Sequence, residues 1–261
     1  MKKILMWLSI VAGIIVLIYI AFYVFYFKPI LNTCEKKDSG AKGVSACSFL
    51  LSSTIDDETV KILLLRADHY SNIEKYKEAI EDYDTILDYN ETNQISLTVV
   101  RITQIYERLA GACFNMGDFN AALKYANLAL QEGSTAGEVY LTRGMVFIIR
   151  GDYSQGLVNL EMAESLKLDI PWLYYNLGAA YNFFEKYDKA YKSLKKVRSM
   201  GNSEEMLAKY NKQLAITYNG LGYYKESRIY YQKVIDAGFA KDDVLNAVKN
   251  LDKHSVTQSG Y

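Results

Sequence analysis

The sequence has no excess of charge of either sign, since thirty lysine and arginine residues balance thirty aspartate and glutamate residues. Nucleic-acid binding depends on clustered basic side chains that displace counterions from phosphates. No basic patch stands out along the chain. The composition therefore argues against a nucleic-acid partner.

Histidine is scarce as well, because only His69 and His254 occur and they lie far apart in the sequence. Neither has a nucleophile or a metal ligand at a suitable spacing, so we expect both to face solvent or to have a structural role. The glycines occur singly at turns and do not form the G-x-x-x-x-G-K-S/T loop that holds nucleotide phosphates. We therefore expect neither an enzyme nor a bound metal or cofactor.

Charged side chains are missing from residues 4–27, which follow a short charged N-terminus at residues 1–3. A helix of this length spans about 36 Å, enough to cross the hydrocarbon core of a bilayer. Trp7 and several aromatic residues near the far end are typical of membrane interfaces, and Lys28 with Pro29 predicts the end of the helix. A cleaved signal peptide is the alternative, but the apolar run is longer than usual and no small-residue cleavage site follows it. We predict an uncleaved transmembrane helix.

The chain has few cysteines, and two of them, Cys34 and Cys47, lie in the segment directly after the apolar run. Lysines occur on both sides of that run, so the positive-inside rule does not decide its orientation. A disulfide between Cys34 and Cys47 would require an oxidising compartment, whereas two free thiols would suit a cytosolic domain. We favour the disulfide, and with it a single-pass membrane protein whose main domain is periplasmic or luminal rather than cytosolic.

Beyond about residue 55 no hydrophobic run is typical of a β-strand, and apolar residues recur at helical spacing between turn signals. Tyr174, Leu177, Gly178 and Tyr181 resemble the W-x-x-L-G-x-x-Y pattern of the tetratricopeptide repeat, whose period is 34 residues. Equivalent residues recur at that period in two earlier copies, around Tyr140 and Gly144 and around Tyr106, Leu109, Ala110 and Cys113.

Two looser copies flank these three, one through Ala67, Ala79 and Tyr83 and one through Leu214 and Ala215. Extra residues separate the first copy from the second, and we expect them to lengthen a connection or helix near residues 90–95. Residues 43–53 predict a helix of a degenerate half-repeat. Residues 242–253 predict an amphipathic helix that caps the end of the stack.

The resemblance implies an all-α fold, a right-handed superhelical solenoid of about five helix pairs that follows the N-terminal transmembrane helix. The predicted divisions are a juxtamembrane segment at residues 28–54, the solenoid at 55–241, the capping helix at 242–253 and a polar tail at 254–261. Small residues at the repeated position, such as Gly178, would let the two helices of a pair approach closely. Cys113 is expected to be a buried apolar residue.

In this family, peptides bind in the concave groove that the first helix of each pair lines. The equivalent positions in this sequence are Trp172, Tyr175, Asn176, Asn182, Phe183, Leu141, Met145, Ile148, Lys209 and Lys212. Burial of these residues as additional core is the alternative. The carboxylate clamp that binds heat-shock chaperones is incomplete, because Leu141 and Met145 replace two of its polar residues.

The sequence thus predicts a non-catalytic, membrane-anchored adaptor that binds a protein or peptide partner in its groove. One alternative is a self-associating scaffold, which would make the protein a homo-oligomer. Another is an import or chaperone receptor on the cytosolic face of a membrane.

Overall fold

A computed structural model describes residues 2–51, 56–197 and 203–258, with side chains described for 11–51, 56–197 and 203–252. Within these ranges all regular secondary structure is helical and no strand occurs. The chain divides into two compact units, Met1–Gly133 and Ser134–Tyr261. The predicted all-α fold is confirmed.

The N-terminal apolar segment forms an unbroken helical run. Helix α1 (Lys2–Phe22) leads through a π-helical turn (Tyr23–Phe27) into α2 (Lys28–Glu35). Among the described residues, Val11–Glu35 is the one stretch long and apolar enough to cross a membrane, judged by length and composition. Trp7, predicted to be interfacial, has its side chain outside the described part.

The expected helix end at Lys28 and Pro29 is not observed. Pro29 lies in the first turn of α2, where proline is tolerated because its missing N–H would lack an intrahelical partner anyway. The chain therefore remains helical to Glu35.

A short 3₁₀ turn (Lys37–Ser39) connects α2 to α3 (Gly40–Leu50). A disulfide joins Cys34 of α2 to Cys47 of α3, with 4.9 Å between their Cα atoms. Both cysteines are fully buried and pack with Ala46 and Ile62. Helix α3 occupies most of the half-repeat predicted at residues 43–53, of which the last two lie outside the described residues.

Unit 1 continues with two helix pairs, α4 (Asp57–Asn72) with α5 (Tyr76–Glu91), and α6 (Val99–Met116) with α7 (Phe119–Gln131). Polar side chains define where these helices begin. Asp56 accepts a hydrogen bond from the backbone N–H of Thr59 at 2.8 Å, and Asp118 accepts one from that of Ala121 at 2.9 Å. The pairs share one apolar core that includes Tyr83, Ile86 and Leu109.

Unit 2 contains three further pairs and a terminal helix. The pairs are α8 (Gly137–Ile149) with α9 (Tyr153–Ser165), α10 (Pro171–Phe183) with α11 (Tyr187–Lys196), and α12 (Glu204–Gly220) with α13 (Tyr224–Asp236). Helix α14 (Asp242–Gln258) packs against α13. It extends past the predicted capping helix into the predicted polar tail, whose residues 259–261 lie outside the described part.

The small residues of the repeat pattern lie where helices meet. A Cβ atom added to Gly178 would lie 2.5 Å from Cγ of Leu194, the residue of α11 that packs there. At Gly144 an added Cβ would lie 3.1 Å from the carbonyl oxygen of Gly156. A larger residue would therefore push each pair apart, which explains why glycine stands at these positions.

Two residues singled out in the sequence are buried. Burial raises the pKa of the Cys113 thiol to about 11, as expected of a core residue. His69 is only 2% exposed, so of the two expected roles it has the structural one: its Nε2 lies 2.7 Å from the carbonyl oxygen of Cys34. The side chain of His254 lies outside the described part.

Candidate functional site

Unit 2 has a cavity of about 280 Å³ between two first helices of the pairs, α10 and α12, and the start of α14. Its apolar lining includes Tyr175, Ala208, Val234 and Phe239, and its charged lining comprises Glu205, Lys209, Lys212, Lys241 and Asp243. Tyr175, Lys209 and Lys212 are among the residues predicted to line a groove. The fold therefore brings these three together although they lie on two different helices.

Tyr175 offers this cavity both an aromatic ring and a hydroxyl group. The residue is half-buried, and burial raises the pKa of its phenol. Its hydroxyl has no hydrogen-bond partner among the side chains and backbone groups that the structure describes. The ring lies edge-on to that of Trp172, with 6.0 Å between the centroids, and Trp172 is 43% exposed. The pair thus presents an accessible aromatic surface beside the cavity.

The two lysines are already paired with acidic side chains. Lys209 lies 2.7 Å from Glu205 one turn earlier on α12, and Lys212 donates to Asp243 in the first turn of α14. These contacts lower the pKa of both carboxyl groups. The carboxylate of a ligand could replace Glu205 or Asp243 as the partner of these lysines, because solvent-accessible ion pairs contribute little stability.

Two of the predicted groove residues lie inside the unit instead of on its surface. Leu141 is buried in the core. Asn182 donates from Nδ2 to the backbone carbonyl of Gln213 at 3.0 Å and accepts from the hydroxyl of Thr217 at 2.9 Å. Asn182 therefore connects α10 to α12, and a ligand on the surface would not reach it directly.

The other predicted positions are accessible in different degrees. Asn176 donates to the carbonyl oxygen of Trp172 in its own helix at 2.8 Å. Phe183 is exposed and stacks on Tyr153 with 3.8 Å between ring centroids. Met145 and Ile148 are partly buried against the core. None of these four lines the cavity, so their part in binding stays a prediction.

The last segment of unit 2 contributes residues to the cavity that the repeat pattern did not predict. Phe239 and Lys241 from the α13–α14 connection and Asp243 from α14 complete the cavity. The groove positions were counted only on the first helices of the repeats, and α14 was expected to act as a cap alone. A helix that follows the last repeat must pack beside it, which is the signal that could have placed these residues near the groove.

Unit 1 has a second cavity of about 440 Å³ between α4 and α6, closed on one side by Glu35 and Lys37. Asp68 on its wall accepts hydrogen bonds from the Tyr83 hydroxyl at 2.9 Å and lies 3.2 Å from Nε of Arg108. Apolar and aromatic residues also line this cavity, as they do in unit 2. The repeat pattern did not predict this cavity, because the groove positions lie only in the later repeats.

The part of the chain that the structure describes contains no evident metal-binding site. No group of three or more histidine, cysteine, aspartate or glutamate side chains is placed there to hold an ion. The geometry of both cavities suits binding of polar and aromatic groups.

The tetratricopeptide-repeat family model matches residues 60–93, 103–132 and 208–237. These matches coincide with the α4–α5, α6–α7 and α12–α13 pairs. No curated protein matches the sequence.

Solved structures with the same fold include MamA, at 20% identity and a TM-score of 0.50, covering 70% of this chain and 93% of that one. YrrB, described as a TPR protein with an unusual peptide-binding site, is 15% identical with a TM-score of 0.53 and covers 82% of this chain and 100% of its own. The C-terminal part of a TPR repeat-containing protein from Cytophaga hutchinsonii is 19% identical with a TM-score of 0.52, covering 81% and 78%. At these identities the likeness concerns the fold alone.

The repeated residues, the helix pairs and the family matches agree, and residues 60–93, 103–132 and 208–237 are tetratricopeptide repeats.

Proposed function

We propose that this protein is a membrane-anchored adaptor that binds a peptide segment of another protein in the cavity of unit 2. The observation that carries the proposal is the convergence of Tyr175, Lys209 and Lys212 on one cavity. An accessible aromatic group beside basic side chains is a common anchor for a protein partner. The repeat family supports a role in protein–protein interaction, and no enzymatic activity is proposed.

The ligand that fits this cavity is an extended segment with one apolar side chain next to an acidic group. The apolar side chain would pack against Tyr175 and Phe239, and the acidic group would pair with Lys209 in place of Glu205. A peptide amide could also donate to or accept from the Tyr175 hydroxyl. Such a segment gains both burial of apolar surface and charge pairing.

The anchor is the N-terminal helical run, which we propose to be an uncleaved transmembrane segment. Val11–Glu35 meets the length and hydropathy requirements, and its described side chains up to Phe27 are exposed. The Cys34–Cys47 disulfide supports a periplasmic or luminal position for the repeats. A cleaved signal sequence would meet the same requirements of length and composition.

The binding proposal can be tested with the full-length chain in phosphatidylcholine nanodiscs and a random peptide display library. We expect the selected peptides to combine aromatic or aliphatic residues with aspartate or glutamate. Tyr175→Ala and Lys209→Ala should each weaken binding of these peptides on the order of tenfold, the effect of losing one good anchor. Trp172→Ala should weaken binding while leaving the thermal midpoint nearly unchanged, because Trp172 is well exposed.

A matched control is Ile229→Ala on α13, since Ile229 is exposed but does not line the cavity. This variant should bind the selected peptides as the unmodified chain does. Peptides that bind Tyr175→Ala and Ile229→Ala with equal affinity would show that the cavity is not the binding site.

A further inference from the structure

Helices α2 and α4 of unit 1 lie side by side and point in the same direction. Near their C-terminal ends, Nε2 of His69 lies 2.7 Å from the carbonyl oxygen of Cys34. At their other ends, Phe27 and Thr59 line one shared cavity. Helix α4 therefore begins at the level of the junction between the π-helical turn and α2.

Helix α6 begins at the same level as α4. Arg101 in the first turn of α6 lies 3.9 Å from Asp57 in the first turn of α4. Farther along, Arg108 lies 3.2 Å from Asp68, so the two helices also run in parallel. The first residues of α6, Val99 and Val100, are 58% and 67% exposed.

Helix α3 runs back toward this same level. It is linked to the far end of α2 by the disulfide, and its last residue, Leu50, lines a cavity with Phe27 and Leu31. Phe49, the residue before Leu50, is 65% exposed. The C-terminus of α3 and the N-termini of α4 and α6 thus form one edge of unit 1, which we call the anchor edge.

Exposed apolar side chains of unit 1 concentrate at the anchor edge. Apart from the N-terminal helical run, the described residues of unit 1 have four large apolar side chains that are well exposed: Phe49, Val99, Val100 and Met116. The first three lie at the anchor edge, and Met116 lies at the opposite end of α6. This distribution favours a contact at one end of the unit.

The depth of this edge follows from the length of α1. Its uncharged residues 4–22 span about 28 Å, close to the thickness of the hydrocarbon core of a bilayer. The aromatic turn Tyr23–Phe27 then lies in the interfacial layer, where aromatic side chains are favoured. The anchor edge, being level with this turn, lies at the same depth.

We propose that the anchor edge rests on the bilayer surface, with Phe49, Val99 and Val100 in the interfacial layer of the lipid. The occupant of this apolar surface is therefore a lipid membrane. This inference rests on the membrane-anchoring part of the proposed function and is independent of peptide binding in unit 2.

The charges at the anchor edge favour an apolar attachment over an electrostatic one. Asp57 faces Arg101, and Lys61 lies 3.7 Å from Glu58 and 2.7 Å from Glu35. Asp56, which bonds to Thr59, adds a further acidic group, so the edge has no strong net attraction for anionic headgroups. The contact should therefore form equally well on a zwitterionic membrane.

The extra residues between the first two repeats also belong to this edge. They lie in the connection from α5 to α6, where Ile95 and Leu97 pack against the core of unit 1 and the backbone N–H of Leu97 donates to Asn90 at 2.8 Å. The longer connection ends directly at Val99 and Val100.

Spin labels on the full-length chain can test the proposal in phosphatidylcholine vesicles. Single cysteines would replace Val100 at the anchor edge, Met116 as a matched control on the same helix, and Leu17 in α1. Cys113→Ala removes the remaining free thiol, and the native disulfide does not react with the label. The measurement compares collisions of each label with oxygen, which is concentrated in lipid, and with a water-soluble nickel complex.

We expect the ratio of oxygen to nickel collisions to be severalfold higher at position 100 than at position 116, and highest at position 17. Addition of phosphatidylglycerol should leave this order unchanged. A lipid signal at 17 with equal aqueous signals at 100 and 116 would overturn the edge contact and leave the anchor standing.

Lipid signals at both 100 and 116 would also overturn the edge contact. A label at 100 that enters lipid only with phosphatidylglycerol would overturn the apolar attachment. An aqueous signal at 17 would reject the anchor and this inference together. Selection of peptides by unit 2 would not be affected by any of these results.

Discussion

Arg66 in unit 1 contacts side chains of two other helices, α5 and α3. Arg66 of α4 donates from Nε and Nη2 to the two carboxylate oxygens of Asp82 of α5, at 2.9 and 2.6 Å. Its Nη1 also donates to the Ser48 hydroxyl of α3 at 3.1 Å. Asp82 is buried, so its charge depends on this bidentate pairing.

Replacement of Asp82 should therefore be costly. We expect Asp82→Asn to lower the free energy of unfolding of unit 1 by about 2 kcal/mol, between the values for exposed and for buried pairs, because Arg66 keeps partial contact with water. Hydrogen exchange of peptides from α4 and α5 in the full-length chain would measure this. Glu81→Gln is the control, since its pair with Lys77 is exposed and 3.9 Å long. Equal effects of the two changes would contradict a special role for Asp82.

Residue roles were predicted less well than the repeat itself. The period identified small and aromatic core positions such as Gly178 and Tyr181, because small residues recur in every pair and aromatic ones in every pair except α6–α7. It did not show that Asn182 bonds to Gln213 and Thr217 of the next pair. Such contacts depend on how neighbouring helices meet, and a periodic pattern alone does not contain that information.

The helix pairs follow from the repeat pattern, whereas the residues at which the helices begin and end depend on local chemistry. The pattern placed α14 but underestimated its length. It also predicted a stop at Pro29, where the preceding π-turn and the first-turn position allow the helix to continue. The groove positions were assigned by resemblance to the family. Of these residues, only Tyr175, Lys209 and Lys212 line the same cavity.

Replacement by alanine should have opposite effects on stability at two glycines inside helices. Gly178→Ala should lower the thermal midpoint, since the new methyl group would lie 2.5 Å from Leu194 and overpacking costs about 1–3 kcal/mol. Gly111→Ala on α6 should raise stability by up to about 1 kcal/mol, because no atom outside the surrounding turns of α6 lies within 4 Å of the added Cβ and alanine favours the helix.

Thermal unfolding of the full-length variants, followed by circular dichroism, would compare them. A gain of stability in Gly178→Ala would show that the α10–α11 pair can separate without loss.

The last turns of the N-terminal helical run, helix α2, form part of the first packed layer of unit 1. The disulfide closes α2 and α3 into a hairpin, and α3 packs on α4 as the second helix of a repeat packs on the next pair. Gly43 of α3 allows the two helices to approach, since an added Cβ would lie 2.4 Å from the His69 ring. The sequence predicted only a half-repeat helix here. The fold shows that α2, the continuation of the apolar helix, is its packing partner.

The compartment of the repeats follows from the state of these cysteines. In protein extracted from its native membrane, we expect alkylation of Cys34 and Cys47 only after reduction, as measured by mass spectrometry. Cys113 serves as an internal control: at pH 8 its pKa of about 11 leaves only about 0.1% thiolate, so it should react only after denaturation. Labelling of Cys34 and Cys47 without reduction, while Cys113 stays unlabelled, would place the repeats in the cytosol and reject the periplasmic or luminal position. Labelling of Cys113 at the same stage would instead reveal that the fold had opened.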